Sequence, residues 1–213
     1  MNFTQFSKQV VKIKNLHLPG EEAHFKMVPS IRERLIKEKK YHEKKPKRAG
    51  VMALFYPDAD AVTSLLLILR KTYPGVHSNQ IGFPGGKHEK EDDSLLQTAL
   101  RETNEEVGVQ QGDIEVLKEL TDVYIPPSNF LVTPFLGLYK DPKPFVIQES
   151  EVEALVEVKL NDFLEDANLI EQELSTSYAQ NIKVPAFKLN NQIVWGATAM
   201  MLSEVRLLLK KVL

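Results

Sequence analysis

The 213-residue chain contains no cysteine. That absence excludes disulfides, thiolate nucleophiles and cysteine-held zinc or iron–sulfur centres, and it fits a reducing cytoplasm. Long apolar runs are missing as well. The longest, in "SLLLILR", is far too short to cross a bilayer. The first twenty residues, "MNFTQFSKQVVKIKNLHLPG", carry charge throughout and lack the apolar stretch of a secretory leader. The expectation is a cytoplasmic protein with no membrane partner. Charge of one sign is also scarce. The formal net charge is −2, so the molecule as a whole is not built to bind nucleic acid. No repeat and no low-complexity tract is visible.

What is present suits one well-filled core, with 43% apolar and 26% charged residues. Phe3, Phe6, Val10 and Ile13 follow at steps of 3, 4 and 3, which predicts a short amphipathic helix. Residues 31–48 hold nine Lys and Arg against three Glu. Such a segment is either a solvated face or linker, or a basic flank that steers a polyanionic ligand. "AGVMALFY" and "AVTSLLLILR", split by the turn-prone "PDAD", predict two strands covered on both faces. Residues 71–92 form a long irregular stretch. "DSLLQTALRETNEEVG" predicts a helix capped by Asp93 or Ser94, turned inward at Leu96, Ala99, Leu100, Thr103 and Val107, and ended by Gly108. Strands are expected at 114–124, 130–139 and 151–159, a short acidic helix near 161–166, a hairpin turning at Asn190-Asn191, and a last helix from about Ala197. The class is mixed α and β.

The predicted helix raises a chemical question, because it crowds Arg101, Glu102, Glu105 and Glu106 into six positions. Like charges at i, i+3 and i, i+4 repel. At 100° per residue the three glutamates lie towards one side, and three hard oxygen donors suit Mg²⁺ or Mn²⁺. Gly85-Gly86 lets backbone approach an ion or its ligand closely. Divalent metal and phosphate belong together: the metal can polarise a phosphoryl group and acidify a water, and a spare carboxylate can take the proton. The bland alternative is an exposed helix face on which Arg101 pairs locally.

The spacing resembles the Nudix box, G-x5-E-x7-R-E-U-x-E-E-x-G-U, where U is bulky and apolar. "RETNEEVGV" matches its second half apart from Thr103 at a U position. Counting back from Arg101 places Asp93 at the first glutamate and Lys87 at the first glycine, and Gly86 comes one residue early. The coenzyme A pyrophosphatase branch of the Nudix hydrolases has the same lengthened spacing, often with an Asp near 92 or 93. Its upstream pattern, L-L-x-x-R followed by H-x-x-Q-(I/V)-x-F-P-G-G, is similar to "LLLILRKTYPGVHSNQIGFPGG". The usual Leu-Arg pair ahead of the histidine is "YPG" here. The resemblance spans about residues 49 to 212 and leaves the first 48 unexplained.

The resemblance implies an α+β fold, a Nudix α/β/α sandwich with a mixed β-sheet, over 49–213, with residues 1–48 as a helical and basic extension. It implies a CoA-like nucleotide as partner and hydrolysis of coenzyme A or acyl-CoA to 3′,5′-ADP and 4′-phosphopantetheine or its acyl derivative. Glu102 and Glu106 would be the principal ligands of Mg²⁺ or Mn²⁺, Glu105 a further ligand or the base, and Arg101 the group that orients them. Arg70, His77, Gln80, Gly85 and Gly86 would meet substrate. A later carboxylate often joins such sites, and Glu149, Glu151 and Glu153, expected on one strand face, are the candidates. Two other functions stay open: a Nudix hydrolase for ADP-ribose or a dinucleotide polyphosphate, and a silent nucleotide-binding module. A homodimer is one oligomeric option.

Overall fold

The computed structural model describes residues 1–28, 45–72, 79–174 and 182–213. In chain order the first elements are α1 (Phe3–Val10), α2 (Glu21–Phe25), β1 (Lys47–Pro57), β2 (Thr63–Arg70), β3 (Ile81–Gly82) and β4 (Gly85–Lys87). Then come α3 (Leu95–Val107), β5 (Ile114–Glu119), β6 (Val123–Ile125), β7 (Phe130–Tyr139) and β8 (Val152–Lys159). The chain closes with α4 (Leu160–Leu164), β9 (Leu169–Leu174), β10 (Ile182–Leu189), β11 (Gln192–Trp195) and α5 (Gly196–Val212). Among the described residues, no helix is long and apolar enough to cross a membrane.

The apolar strands β1 and β2 lie inside an eight-stranded sheet. β1 runs parallel to β7 and antiparallel to β2 and β4, so the sheet is mixed. The pleat sorts successive residues to opposite faces. Met52, Leu54 and Tyr56 join one buried cluster, where α3 contributes Ala99 and Val107. Ala53 and Phe55 join the other, filled by Phe3, Phe6 and Val10 of α1 and by Leu202, Val205 and Leu208 of α5. Helices thus cover both faces, as the expected sandwich requires. α1 forms where the apolar steps predict it, with the Asn2 side chain accepting from the Thr4 N–H at 2.9 Å.

β9, β10 and β11 make a separate three-stranded sheet. Its hairpin turns at Asn190 and Asn191, whose φ angles of 47° and 61° are those of a two-residue turn matched to strand twist. Two expectations need correction. The strand expected at 114–124 is broken between β5 and β6, where the Leu120 N–H donates to Pro134 O. The irregular stretch 71–92 contains β3 and β4, because even a Gly-rich backbone can complete the ladders of β2 and β1. Of the lysine-rich segment, residues 31–44 lie outside the described residues.

Candidate active site

α3 starts and stops as its sequence demands. Ser94 Oγ accepts from the Gln97 N–H at 3.1 Å, and Gly108 adopts φ 76°, the left-handed cap at which a side chain is strained. Its first turn lies against β1 at Gly50, where a Cβ would overlap the Leu95 carbonyl. This contact sets the helix beside β4.

Glu102 and Glu106 are one turn apart, only about 40° apart around the axis, and both face β4. At Gly86 an added Cβ would lie under 3.0 Å from the Glu102 carboxyl, so only glycine leaves that group its place. Gly85 sits at φ 143° and donates its N–H to Glu106 Oε2 at 2.8 Å. From the end of β2, Arg70 donates Nη1–H to Gly85 O at 3.4 Å, and its Nη2 stands 3.4 Å from Glu106 Oε1. That last approach is an ion pair without hydrogen-bond geometry. Glu106 Oε1, fully buried, therefore has no hydrogen bond among the described residues. A buried carboxylate oxygen without a donor is costly unless a cation approaches it. Burial raises the Glu106 pKa to about 7 against the opposing pull of Arg70, and burial raises that of Glu102 against Arg101.

The third carboxylate comes from elsewhere. Oxygens of Glu102, Glu106 and Glu151 all lie within 4.8 Å of one another. Three clustered carboxylates, one with an orphaned buried oxygen, form a donor set suited to a hard divalent cation. Glu151 precedes β8, whose Val152 pairs with Arg70 of β2. Glu149 lies in the same turn, and Glu153 pairs with Lys71 at 2.9 Å. The three therefore do not share a strand face, because the strand begins only at Val152.

Glu105 lies outside this cluster. It is 54% exposed and receives the Arg101 Nη1–H at 3.0 Å, being one turn from Arg101. Arg101 also donates Nη1–H to Glu102 at 3.0 Å and Nη2–H to Lys87 O at 3.2 Å. Its remaining donors go to Asp92, not Asp93: Asp92 is buried, and Asp93 is exposed. Asp92 was legible as a nearby acid but off by one position from the counted register. Gln80 lies beside β3, its carbonyl accepting from the Arg70 N–H at 3.0 Å. His77 lies outside the described residues. Glu151 and Asp92 are thus the site residues that the sequence alone did not single out.

A cavity of about 410 Å³ between α2, β9, β10 and α5 shares none of these residues. Its one guanidinium, Arg206, is held by the carbonyls of Phe163 and Leu164 and by Asp166. The reactive groups therefore favour the carboxylate cluster over this cavity.

The family model for the NUDIX domain matches residues 46–177. An uncharacterised Nudix hydrolase NudL of Yersinia enterocolitica is 35% identical over 136 residues, 64% of this chain and 69% of that protein. The NudL protein of Yersinia pestis (strain Pestoides F) is likewise 35% identical over 136 residues, 64% of this chain and 67% of its own length. Among solved structures, a MutT/nudix family protein from Enterococcus faecalis matches at TM-score 0.51 over 89% of this chain and 74% of that one. At 18% identity, that likeness speaks for the fold alone.

Proposed function

This chain belongs to the Nudix family, and from that premise we propose that it hydrolyses the diphosphate linkage of coenzyme A or an acyl-CoA, with Mg²⁺ or Mn²⁺ as its metal. The chain is a Nudix pyrophosphohydrolase acting on a nucleoside diphosphate derivative, in a family that generally uses divalent ions. The observation that carries the proposal is the joint placement of Glu102, Glu106 and Glu151 beside Arg70 and the Gly85-Gly86 backbone of β4. Residues 49–213 would be the hydrolase domain, with 1–48 as its extension.

In this reading Glu102, Glu106 and Glu151 hold the ion, which when bound supplies Lewis acidity to the diphosphate. Arg70, 27% exposed beside Glu106, would donate to the phosphate oxygens. Glu105, outside the ion-holding cluster and reachable from solvent, would take the proton of the attacking water. Arg101 holds Glu102 in place. Water's oxygen bonds to one phosphorus, and the bridging P–O bond breaks. The products are 3′,5′-ADP and 4′-phosphopantetheine or its acyl derivative. The upstream "LLLILR…HSNQIGFPGG" pattern supports the coenzyme A branch, while "YPG" in place of its Leu-Arg pair favours a second reading, ADP-ribose or a dinucleotide polyphosphate.

The test is incubation of the full chain with CoA, acetyl-CoA, ADP-ribose and diadenosine tetraphosphate, with either metal and with chelator. Release of 3′,5′-ADP at the highest kcat/KM, abolished by chelator, is expected. Inertness on both CoA substrates defeats the first reading, and preference for another nucleotide establishes the second.

A further inference from the structure

Glu151 is exposed, so its own packing cannot fix it near the buried Glu106. An unanchored acidic side chain on a loop would lose conformational entropy on joining two others. The chain between β7 and β8 supplies the anchor. The Phe145 ring meets Tyr56 edge-on, with centroids 5.1 Å apart and planes at 88°, and lies 6.2 Å from Tyr139. Tyr56 in turn donates its Oη–H to Glu157 at 2.6 Å, and Tyr139 Oη accepts the Lys143 N–H at 2.8 Å. From this aromatic seat the chain crosses the end of α3. The Val146 N–H donates to Val107 O at 3.1 Å, and the Gln148 N–H to Glu106 O at 3.0 Å. These are carbonyls of a helix end, which have no intrahelical partner. Gly108 leaves room for the crossing, since a Cβ there would come within 3.0 Å of Val146 Cβ. The Gln148 carbonyl then accepts the N–H groups of Glu151 at 3.0 Å and Val152 at 2.9 Å. One residue, Gln148, thus joins the backbone of Glu106 to the backbone of Glu151.

We propose that residues 145–151 are a strap that installs the third carboxylate of the metal site, with Phe145 as its positioning residue. This rests on the reading of Glu151 as a ligand given above. Phe145 packs on Tyr56 and Tyr139 and is no member of the carboxylate cluster. It sets the register of the strap on the end of α3, and the strap sets the reach of Glu151.

The test is Mn²⁺ binding to the nucleotide-free full chain, followed by electron paramagnetic resonance, for the unaltered protein, Glu151→Gln, Phe145→Ala, the double variant and Phe145→Leu. Glu151→Gln and Phe145→Ala are each expected to weaken binding about tenfold, the range typical of groups that orient ligands. The double variant should be no weaker than Glu151→Gln alone, and Phe145→Leu should recover most of the affinity, since both outcomes report coupling to Glu151 and not general loosening. Should Phe145→Ala fail to fold, Val146→Pro serves instead. The Val146 side chain is exposed, and the substitution removes the backbone N–H that donates to Val107 O. Normal Mn²⁺ affinity in Phe145→Ala or its substitute beside a weakened Glu151→Gln overturns the strap alone, as do effects that multiply in the double variant. Normal affinity in Glu151→Gln overturns the strap together with the reading it rests on.

Discussion

Arg101 and Asp92 meet side-on, Nε to Oδ1 at 2.9 Å and Nη2 to Oδ2 at 3.0 Å. Asp92 also accepts from Thr98 Oγ1 at 2.8 Å and from the Glu89 N–H at 3.0 Å. His88 Nδ1 lies 3.0 Å from the same threonine hydroxyl. Hydrogen bonding by Arg101 holds the Asp92 carboxyl far below the usual range, and Asp92 in turn raises the guanidinium. The pair aims Nη1 of Arg101 at Glu102 and Glu105 and so spreads one positive charge over the acidic turn.

Asp92→Asn keeps the volume but breaks the bidentate, charge-assisted pairing. Arg101 would keep its two glutamates, so the stability cost should be on the order of 1–3 kcal/mol and not that of a fully orphaned charge. Activity should fall by roughly 10–100-fold, because the group orienting Glu102 is freed. Urea unfolding and steady-state kinetics check both numbers; a variant with unaltered kcat/KM would show that Arg101 needs no fixed orientation.

Gly86 and Gly50 make opposite predictions for the same change. At Gly86 a methyl would strike the Glu102 carboxyl, the end of a flexible side chain. Gly86→Ala should therefore fold with a melting temperature near normal and bind Mn²⁺ at least about tenfold more weakly. At Gly50 the methyl would strike the backbone carbonyl of Leu95, which cannot move without shifting α3. Gly50→Ala should lose stability by about 1–3 kcal/mol, as overpacking does. Thermal denaturation and metal titration of the two variants separate these outcomes, and a destabilised Gly86→Ala that binds metal normally would contradict the assignment.

Local signals account for what the sequence made legible. The Ser94 cap, the Gly108 terminus, the continuous apolar run of β1 and the Asn190-Asn191 turn each depend on a few adjacent residues. The glutamate pair was legible because Glu102 and Glu106 are one turn apart on a well-marked helix. Glu151 was legible only as one of three candidates with Glu149 and Glu153, because the choice among them depends on β8 pairing with β2, a contact some eighty residues apart in sequence. The choice of Asp92 over Asp93 turns on one residue of an irregular turn, where no periodicity fixes direction. His24 and Glu204 gave no signal at all, since the contact between them joins residues 180 apart in sequence.

Burial raises the Glu106 pKa to about 7, and the sign of its effect follows. Between the ordinary glutamate value and about 7, the folded metal-free chain holds a proton that the unfolded chain has released, so stability falls as pH rises through this window. Glu106→Gln should remove that slope and make the metal-free protein more stable above pH 7, by on the order of 1–3 kcal/mol. Metal binding should strengthen as pH rises through the same window, with proton release. The same variant should lose several orders of magnitude in kcat. Urea titrations between pH 5 and about pH 8, with isothermal calorimetry in two buffers, test the prediction; equal slopes in both proteins would sink it.

Glu204 shows the opposite sign. It is fully buried in α5 and accepts from Gly20 N–H at 3.0 Å, Thr121 N–H at 3.1 Å and Thr121 Oγ1 at 2.7 Å, with His24 Nε2 at 3.3 Å. These bonds tie α2 and the turn before it to α5 and to the segment leading into β6. Burial alone would raise the Glu204 pKa, but the hydrogen bonds from His24 and Thr121 outweigh it and hold the carboxyl below its ordinary value. A depressed pKa contributes stability that is present above the unfolded value and lost as pH falls through the folded one. Glu204→Gln keeps the shape but not the charge, and should cost on the order of 1–3 kcal/mol at neutral pH, the range for hydrogen bonds to a charged group. Below the ordinary carboxylate range the unaltered chain loses the same advantage, so the two unfolding curves should converge in acid. Limited proteolysis at neutral pH should cut the variant sooner on the N-terminal side of β1, where this tie releases the chain. A gap that stays constant from neutral pH into acid would assign the cost to packing instead of charge.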